Sequence, residues 1–194
     1  MTMPWLIILS GYLLGSIPAA YIAGRLIKGQ DIRQMADGNV GAANAFRQLG
    51  AKTGIGVFFI DAGKGALAIF IAQAANLPQA AILLTGVAAV VGHNWPVFLG
   101  FRGGRGFSTT IGVLIAIITQ PILILAVPTL AALFTKRNTT IAGAVMFAPL
   151  PVVCWWLGVP GILIAYGIAL PCLIGLTNLL RRRQVASTSE TETT

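Results

Sequence analysis

Charge is what this chain lacks. Of its 194 residues only 9% are Asp, Glu, Lys or Arg, and 56% are hydrophobic. A soluble domain carries about a quarter charged residues. At a mean hydropathy of +0.84, too few polar side chains remain to cover a water-exposed surface, which excludes a soluble globular domain. The gaps between apolar runs are too short to hold one, so residues 1–183 read as a single membrane domain. The tail 184–194, rich in Ser, Thr and Glu, is expected to be disordered. Cysteine and histidine are also scarce, with two Cys and one His, so no Cys/His metal cluster can be assembled. Cys154 and Cys172 lie in apolar runs and read as small buried hydrophobes. Walker loop, Gly-x-Ser-x-Gly elbow, His-x4-Asp box and Asp-rich phosphatidyl-transfer signature are all missing, as is any repeat of fixed period. No basic residue precedes the first apolar run and no small-residue cleavage site follows it, so it reads as a retained helix rather than a signal peptide.

What the chain does have is apolar length. Spanning takes about 20 apolar residues, and candidate spans are 4–24, 54–75, 79–100, 139–157 and 159–179. The stretch 107–135 is interrupted at Thr119, Gln120 and Pro121, and each half is short for a crossing. The expected fold is an all-α integral membrane protein of about seven transmembrane helices, or five plus a re-entrant hairpin. Twelve of the thirteen Lys and Arg flank the same ends of these runs: Arg25, Lys28, Arg33, Arg47, Lys52, Arg102, Arg105, Lys136, Arg137, Arg181, Arg182 and Arg183. The turns at 76–79, 120–121 and 158–160 carry no charge. By the positive-inside rule the charged face is cytoplasmic, with the N-terminus outside and the C-terminus cytoplasmic. Cations placed at span ends, with no exposed basic stripe, argue against a nucleic-acid partner in spite of a net charge of +8.

Two glycine-rich segments lie on that face. In Ala36-Asp37-Gly38-Asn39-Val40-Gly41-Ala42-Ala43-Asn44, with Arg47 after it, successive backbone N–H groups can form an anion-binding nest. A helix starting near Ala42 would aim its N-terminus at the same place, and Arg47 would close on a phosphate. The plain alternative is a surface loop with glycine turns. In Gly92-His93-Asn94-Trp95-Pro96 through Gly100-Phe101-Arg102-Gly103-Gly104-Arg105-Gly106, a permissive backbone meets a cation, and Ser108, Thr109 and Thr110 open the next helix. Three glycines in four residues are hard to explain by packing alone, which favours an anion site. His93 titrates near neutrality, but as a lone histidine it is as readily a satisfied polar residue. Asp61 and Lys64, at i and i+3 inside the second run, are either an internal strut or members of a site.

These motifs, in this order, resemble the bacterial acyl-phosphate:glycerol-3-phosphate acyltransferases, the small polytopic PlsY family. Gly15-Ser16-Ile17-Pro18 matches its first motif. Gly38 through Arg47 matches Gly-Asn-x-Gly-Ala-Thr-Asn-x-x-Arg with Ala43 for Thr, and Phe59-Ile60-Asp61-x-x-Lys64-Gly65 matches a further pattern. Gly92 through Thr109 matches the Gly-His…Gly-Gly-Lys-Gly motif with Arg105 for Lys; Lys136-Arg137 and Asn178 also fall in place. The resemblance implies a seven-helix, N-outside monomer of the bacterial cytoplasmic (inner) membrane. Its partners would be acyl phosphate, glycerol 3-phosphate and membrane lipid, without metal, CoA or other cofactor. It would acylate position 1 of glycerol 3-phosphate to give lysophosphatidic acid. His93, Arg47, Arg105 and Asn178 would be catalytic. Ser16, Asp37, Gly38, Asn39, Gly41, Asn44, Lys64, Gly103, Gly104, Ser108 and Thr109 would bind substrate phosphate.

The chain departs from the resemblance at four places. Asp37 stands where the family has serine, and Arg105 where it has lysine. Ile174-Gly175-Leu176-Thr177 replaces a basic, His-containing stretch, and the acidic ending after the last helix is missing. Readings of another class are a small anion channel or transporter, and a catalytically silent lipid-phosphate-binding relative. The channel is disfavoured because all charges but Asp61 and Lys64 lie on one face.

Overall fold

In lipid, each span must pair its own backbone groups, so apolar runs of this length become helices. The computed structural model describes residues 3–136 and 138–191, with side chains through Thr177, and is all-helical among those residues. The helices are α1 (Pro4–Gly15), α2 (Ala19–Lys28), α3 (Ala42–Leu49), α4 (Ala51–Ala74), α5 (Gln79–Asn94), α6 (Phe107–Ile117), α7 (Thr119–Lys136), α8 (Thr139–Phe147), α9 (Leu150–Trp156) and α10 (Gly161–Thr191). Asn178, Arg181–Arg183 and the polar tail therefore lie outside the described side chains, and Arg137 outside the described residues.

Among the described residues, five helices are long and apolar enough to cross a membrane: Pro4–Lys28, Gln79–Leu99 and Thr139–Trp156, each taken across an internal break, and Ala51–Ala74 and Thr119–Lys136. Phe107–Ile117 and Gly161–Thr177 are shorter apolar helices. This corrects the expectation that both halves of 107–135 are short for a crossing. Backbone pairing resumes at Thr119, because proline at the start of a helix costs no hydrogen bond. The 18-residue α7 is thus long enough to cross, and of these two helices α6 alone is short.

The first run is also two helices rather than one. Pro18 has no N–H and pushes the residue before it out of helical geometry, so α1 ends at Gly15 and α2 starts at Ala19. The second break, at Ala148–Pro149, separates α8 from α9. Ends of helices facing the charge-free turns expose Trp5, Trp155 and Trp156, as expected where rings meet a membrane interface.

Packing relies on missing side chains. Along α1 against α5, a Cβ on Gly15 would overlap the Ala89 carbonyl and one on Gly92 the Tyr12 carbonyl. Along α4 against α6, Gly65 abuts the Thr109 carbonyl and Gly112 the Ala62 carbonyl. Small residues let helix backbones touch where lipid supplies no hydrophobic drive. The apolar core lies beside these contacts, with Ile69, Val90, Leu114, Ile122, Leu150 and Leu170 buried from six helices. Gly112→Ala should therefore destabilise by about 1–3 kcal/mol through overpacking. In Gly63→Ala the new methyl meets nothing within 4 Å, and the protein should melt at or slightly above the wild-type temperature. Thermal unfolding of both variants in detergent checks the contrast; equal melting temperatures would refute the close approach.

Candidate active site

The site is built in two storeys at the charged end of the bundle. The lower one begins at the break in the first run. Ending α1 at Gly15 frees carbonyls that a continuous helix would pair, and in lipid these need a donor. Lys64 supplies one: its Nζ donates to the Ile17 carbonyl at 2.8 Å. The same Nζ lies 2.8 Å from Asp61 Oδ1, with the two side chains only 5% and 2% exposed. His93 completes the cluster, Nδ1 standing 3.5 Å from Asp61 Oδ1. Ser16 is fully buried, its Oγ donating back to the Tyr12 carbonyl at 2.9 Å. In this geometry it serves the helix end.

The glycine-rich segment after α5 forms the lid of that cluster. Gly103 N–H donates to the Asn94 carbonyl at 3.2 Å and Gly104 N–H to the His93 carbonyl at 3.0 Å, satisfying orphan carbonyls of the helix end. A Cβ on Gly103 would overlap the His93 carbonyl and the Pro96 ring, and one on Gly104 the His93 Nε2. Gly106 has φ +83°, a conformation glycine adopts freely. Packing thus does account for the three glycines, and two of the amides expected to form an anion nest are committed to α5 instead. The Gly38 amide is committed likewise, donating to the Met35 carbonyl at 3.0 Å.

What the docked loop does present is Arg105. Its Nη2 lies 2.9 Å from Asp37 Oδ2, and Arg47 Nη2 lies 3.2 Å from the same oxygen. Two arginines from segments far apart in sequence thus converge on one anion position at the partly exposed surface. A carboxylate can sit in such a loop by capping a turn or by pairing with arginine, and Asp37 does both: its Oδ1 accepts from the Asn39 N–H at 3.4 Å. Asn44 is fully buried and shapes the loop, its Nδ2 donating to the carbonyls of Asn39, Met35 and Ile32 at 3.0, 3.2 and 3.4 Å. Gly41 caps the start of α3 and Gly106 that of α6, neither helix having a side-chain cap. Ser108 and Thr109 are buried in the first turn of α6. Among the described residues, Asn39 Oδ1, Asn44 Oδ1 and Thr109 Oγ1 are buried without a hydrogen-bond partner.

Beside Gly38 and Gly103 opens a cavity of about 850 Å³, lined by Asp31, Arg33, Gln34, Trp95, Arg102 and Thr177 among others. Such volumes suit a small ligand. The sequence reading used Arg33 and Arg102 only as topology markers; their clustering beside the glycine segments was the available signal. Arg33 ties the two segments together, pairing with Asp31 at 2.6 Å and donating to the Leu99 carbonyl at 3.2 Å. Hydrogen bonding from the Arg33 guanidinium holds the Asp31 carboxyl below the usual carboxylate range. Thr177 lines the cavity, while the side chain of its neighbour Asn178 lies outside the described residues. A second, apolar groove of about 480 Å³ runs between α2 and α4 from Lys52 to Ile17 and Ile60, past the bare Gly56. Among the described residues no three His, Cys, Asp or Glu side chains gather as a metal site.

The chain matches the glycerol-3-phosphate acyltransferase family over residues 5–186. Glycerol-3-phosphate acyltransferase 4 of Dehalococcoides mccartyi is 49% identical over 182 residues, covering 94% of this chain and 98% of that protein. The glycerol-3-phosphate acyltransferase of Halalkalibacterium halodurans is 34% identical, covering 94% of this chain and 90% of that protein. The crystal structure of PlsY, an integral membrane glycerol 3-phosphate acyltransferase, in its glycerol 3-phosphate form superposes with a TM-score of 0.81 at 32% identity, covering 97% of this chain and 92% of that one. Its lysophosphatidic acid form gives 0.78 at 30% identity with the same coverage. With matches along almost its whole length in both sequence and fold, this multi-pass membrane protein belongs to the glycerol-3-phosphate acyltransferase family.

Proposed function

We propose that the protein transfers a fatty acyl group from acyl phosphate to position 1 of glycerol 3-phosphate, giving lysophosphatidic acid for phospholipid synthesis. The observation that carries this reading is the convergence of Arg47 and Arg105 on one anion position; the protein also has a polar cavity beside Gly38 and Gly103 and an apolar groove between α2 and α4. The groove suits an acyl chain: from Lys52 to Ile60 the helix rises about 12 Å. An acyl phosphate is already an activated mixed anhydride, so no covalent enzyme intermediate is needed. The acceptor hydroxyl adds to the acyl carbonyl, the carbonyl–phosphate bond breaks, and the departing phosphate takes the hydroxyl proton. The protein's task is to hold two anions together and orient the hydroxyl. We assign the proton to the departing phosphate rather than to His93, whose Nδ1 faces Asp61 and whose Nε2 lies beside Gly104. Asn178, which the motif match puts among the catalytic residues, is proposed to act in the same transfer. The reaction needs no metal or cofactor, and the working unit is a monomer in the bacterial cytoplasmic membrane.

Purified protein with radiolabelled glycerol 3-phosphate should form labelled lysophosphatidic acid from acyl phosphate and none above background from acyl-CoA. Comparable turnover with acyl-CoA would refute the donor assignment.

The site faces the cytoplasm if the charge asymmetry sets orientation. Single cysteines at Lys28 or Arg102, both exposed, in a cysteine-free background should resist an impermeant maleimide in intact cells and react after permeabilisation. Gly103 is unsuitable for this experiment, since any side chain there meets Pro96. Ready labelling from outside would invert the topology.

A further inference from the structure

Asp37 is held by both of its carboxylate oxygens at a partly exposed surface. Its backbone is flanked by two left-handed residues, Ala36 at φ +49° and Gly38 at φ +64°. That turn aims the carboxylate at the two guanidinium groups, Oδ2 receiving Arg47 at 3.2 Å and Arg105 at 2.9 Å. Oδ1 is anchored to the Asn39 N–H at 3.4 Å. The arginines come from α3 and from the loop before α6, and Asp37 is the one hydrogen-bond acceptor they share among the described residues. A carboxylate there occupies the position a substrate phosphate needs.

We infer that Asp37 is a resident anion that fills the phosphate position between Arg47 and Arg105 until substrate displaces it, so that the site selects ligands carrying more charge than one carboxylate. The argument is one of exchange. One carboxylate balances one of two guanidinium charges. A monoanionic ligand that replaces it gains no net pairing and leaves Asp37 displaced close by, repelling it. A phosphate dianion brings a second charge and further acceptor oxygens, so both arginines are paired at once and bidentate geometry becomes available. Asp37 is thereby a specificity-determining residue: it weakens the affinity for every anion, but weakens it most for singly charged ones. The alternative role is a brace that holds the two guanidinium groups parallel and ready. The two roles predict opposite signs.

This inference rests on the acyl-transfer reading, so the experiment has two readouts. Full-length protein in detergent carries Asp37→Asn, which keeps the shape of the side chain, or Asp37→Ser, which shortens it. Steady-state acyl transfer gives KM for glycerol 3-phosphate, and equilibrium binding of inorganic phosphate is measured without any donor. Both variants should lower KM about tenfold or more and tighten phosphate binding by a similar factor. A KM that rises, with phosphate binding unchanged or weakened, would show that Asp37 braces the arginines and would overturn the inference. Turnover by every form with no change in phosphate affinity would also overturn it, leaving the acyl-transfer reading intact. No turnover by any form, with phosphate bound about tenfold more tightly in both variants, would support the resident anion and remove the acyl-transfer reading instead.

Discussion

Arg47→Ala and Arg105→Ala are each expected to lower kcat/KM for glycerol 3-phosphate by about a hundredfold or more. Losing one preorganised charge-assisted donor at a reacting anion costs about 3–4 kcal/mol. Here the loss has a second part. Each arginine also neutralises Asp37, and a carboxylate with less compensation repels an incoming phosphate. Two like charges 4 Å apart repel by roughly 4 kcal/mol at an effective dielectric of 20. These contributions do not add, because the freed carboxylate can rotate into water. Their coupling is nevertheless measurable: Asp37→Asn combined with Arg47→Ala should recover part of the activity that Arg47→Ala alone removes. Arg47→Lys should recover little, since a point charge cannot reproduce the planar fork. Near-normal kinetics in either alanine variant would take that arginine out of the site.

The other large effect concerns stability. Removing one partner of a buried ion pair leaves an uncompensated charge and costs about 3–5 kcal/mol. Asp61→Leu or Lys64→Met should accordingly lower the melting temperature in detergent by about 10 °C, at 2–4 °C per kcal/mol for a chain of this size. Asp61→Leu with Lys64→Met removes both charges and should regain more than half of the loss. It will not regain all of it, because the Ile17 carbonyl then has no ammonium to accept from. Single variants melting within about 2 °C of wild type would show that the cluster is not a strut.

Helices and their ends were legible because hydropathy and flanking cations act over many residues at once. Hydropathy is blind to hydrogen-bond continuity, however, so 4–24 looked like one span although Pro18 divides it. The proline was visible; what it would leave unpaired, and which side chain would answer, depended on α4 lying alongside. The polar residues were legible as a set, through Asp37, Arg47 and Arg105. Their division into an upper anion position and a lower buried cluster was not, because that depends on Gly104 resting on His93. Glycine itself was ambiguous at sequence level. A bare backbone serves a ligand and a close helix contact equally well, and only the partners of the Gly38, Gly103 and Gly104 amides distinguish the two. Arg33 and Arg102 show the converse, cations that set topology and also line a cavity.

The break at Ser16–Pro18 bears on how the chain enters the bilayer. Segments emerge in order, N-terminal first, so α1 and α2 are in place before α4 has been made. A lysine placed centrally in a span costs about 2.5–3.5 kcal/mol to insert. The chain has already installed, at the break in its first span, the carbonyl that will receive Lys64. The earlier segment thus carries an acceptor for the lysine of the later one, and the later one supplies a donor to the break in the earlier. Neither membrane segment is self-sufficient, and the order of synthesis fixes which one waits.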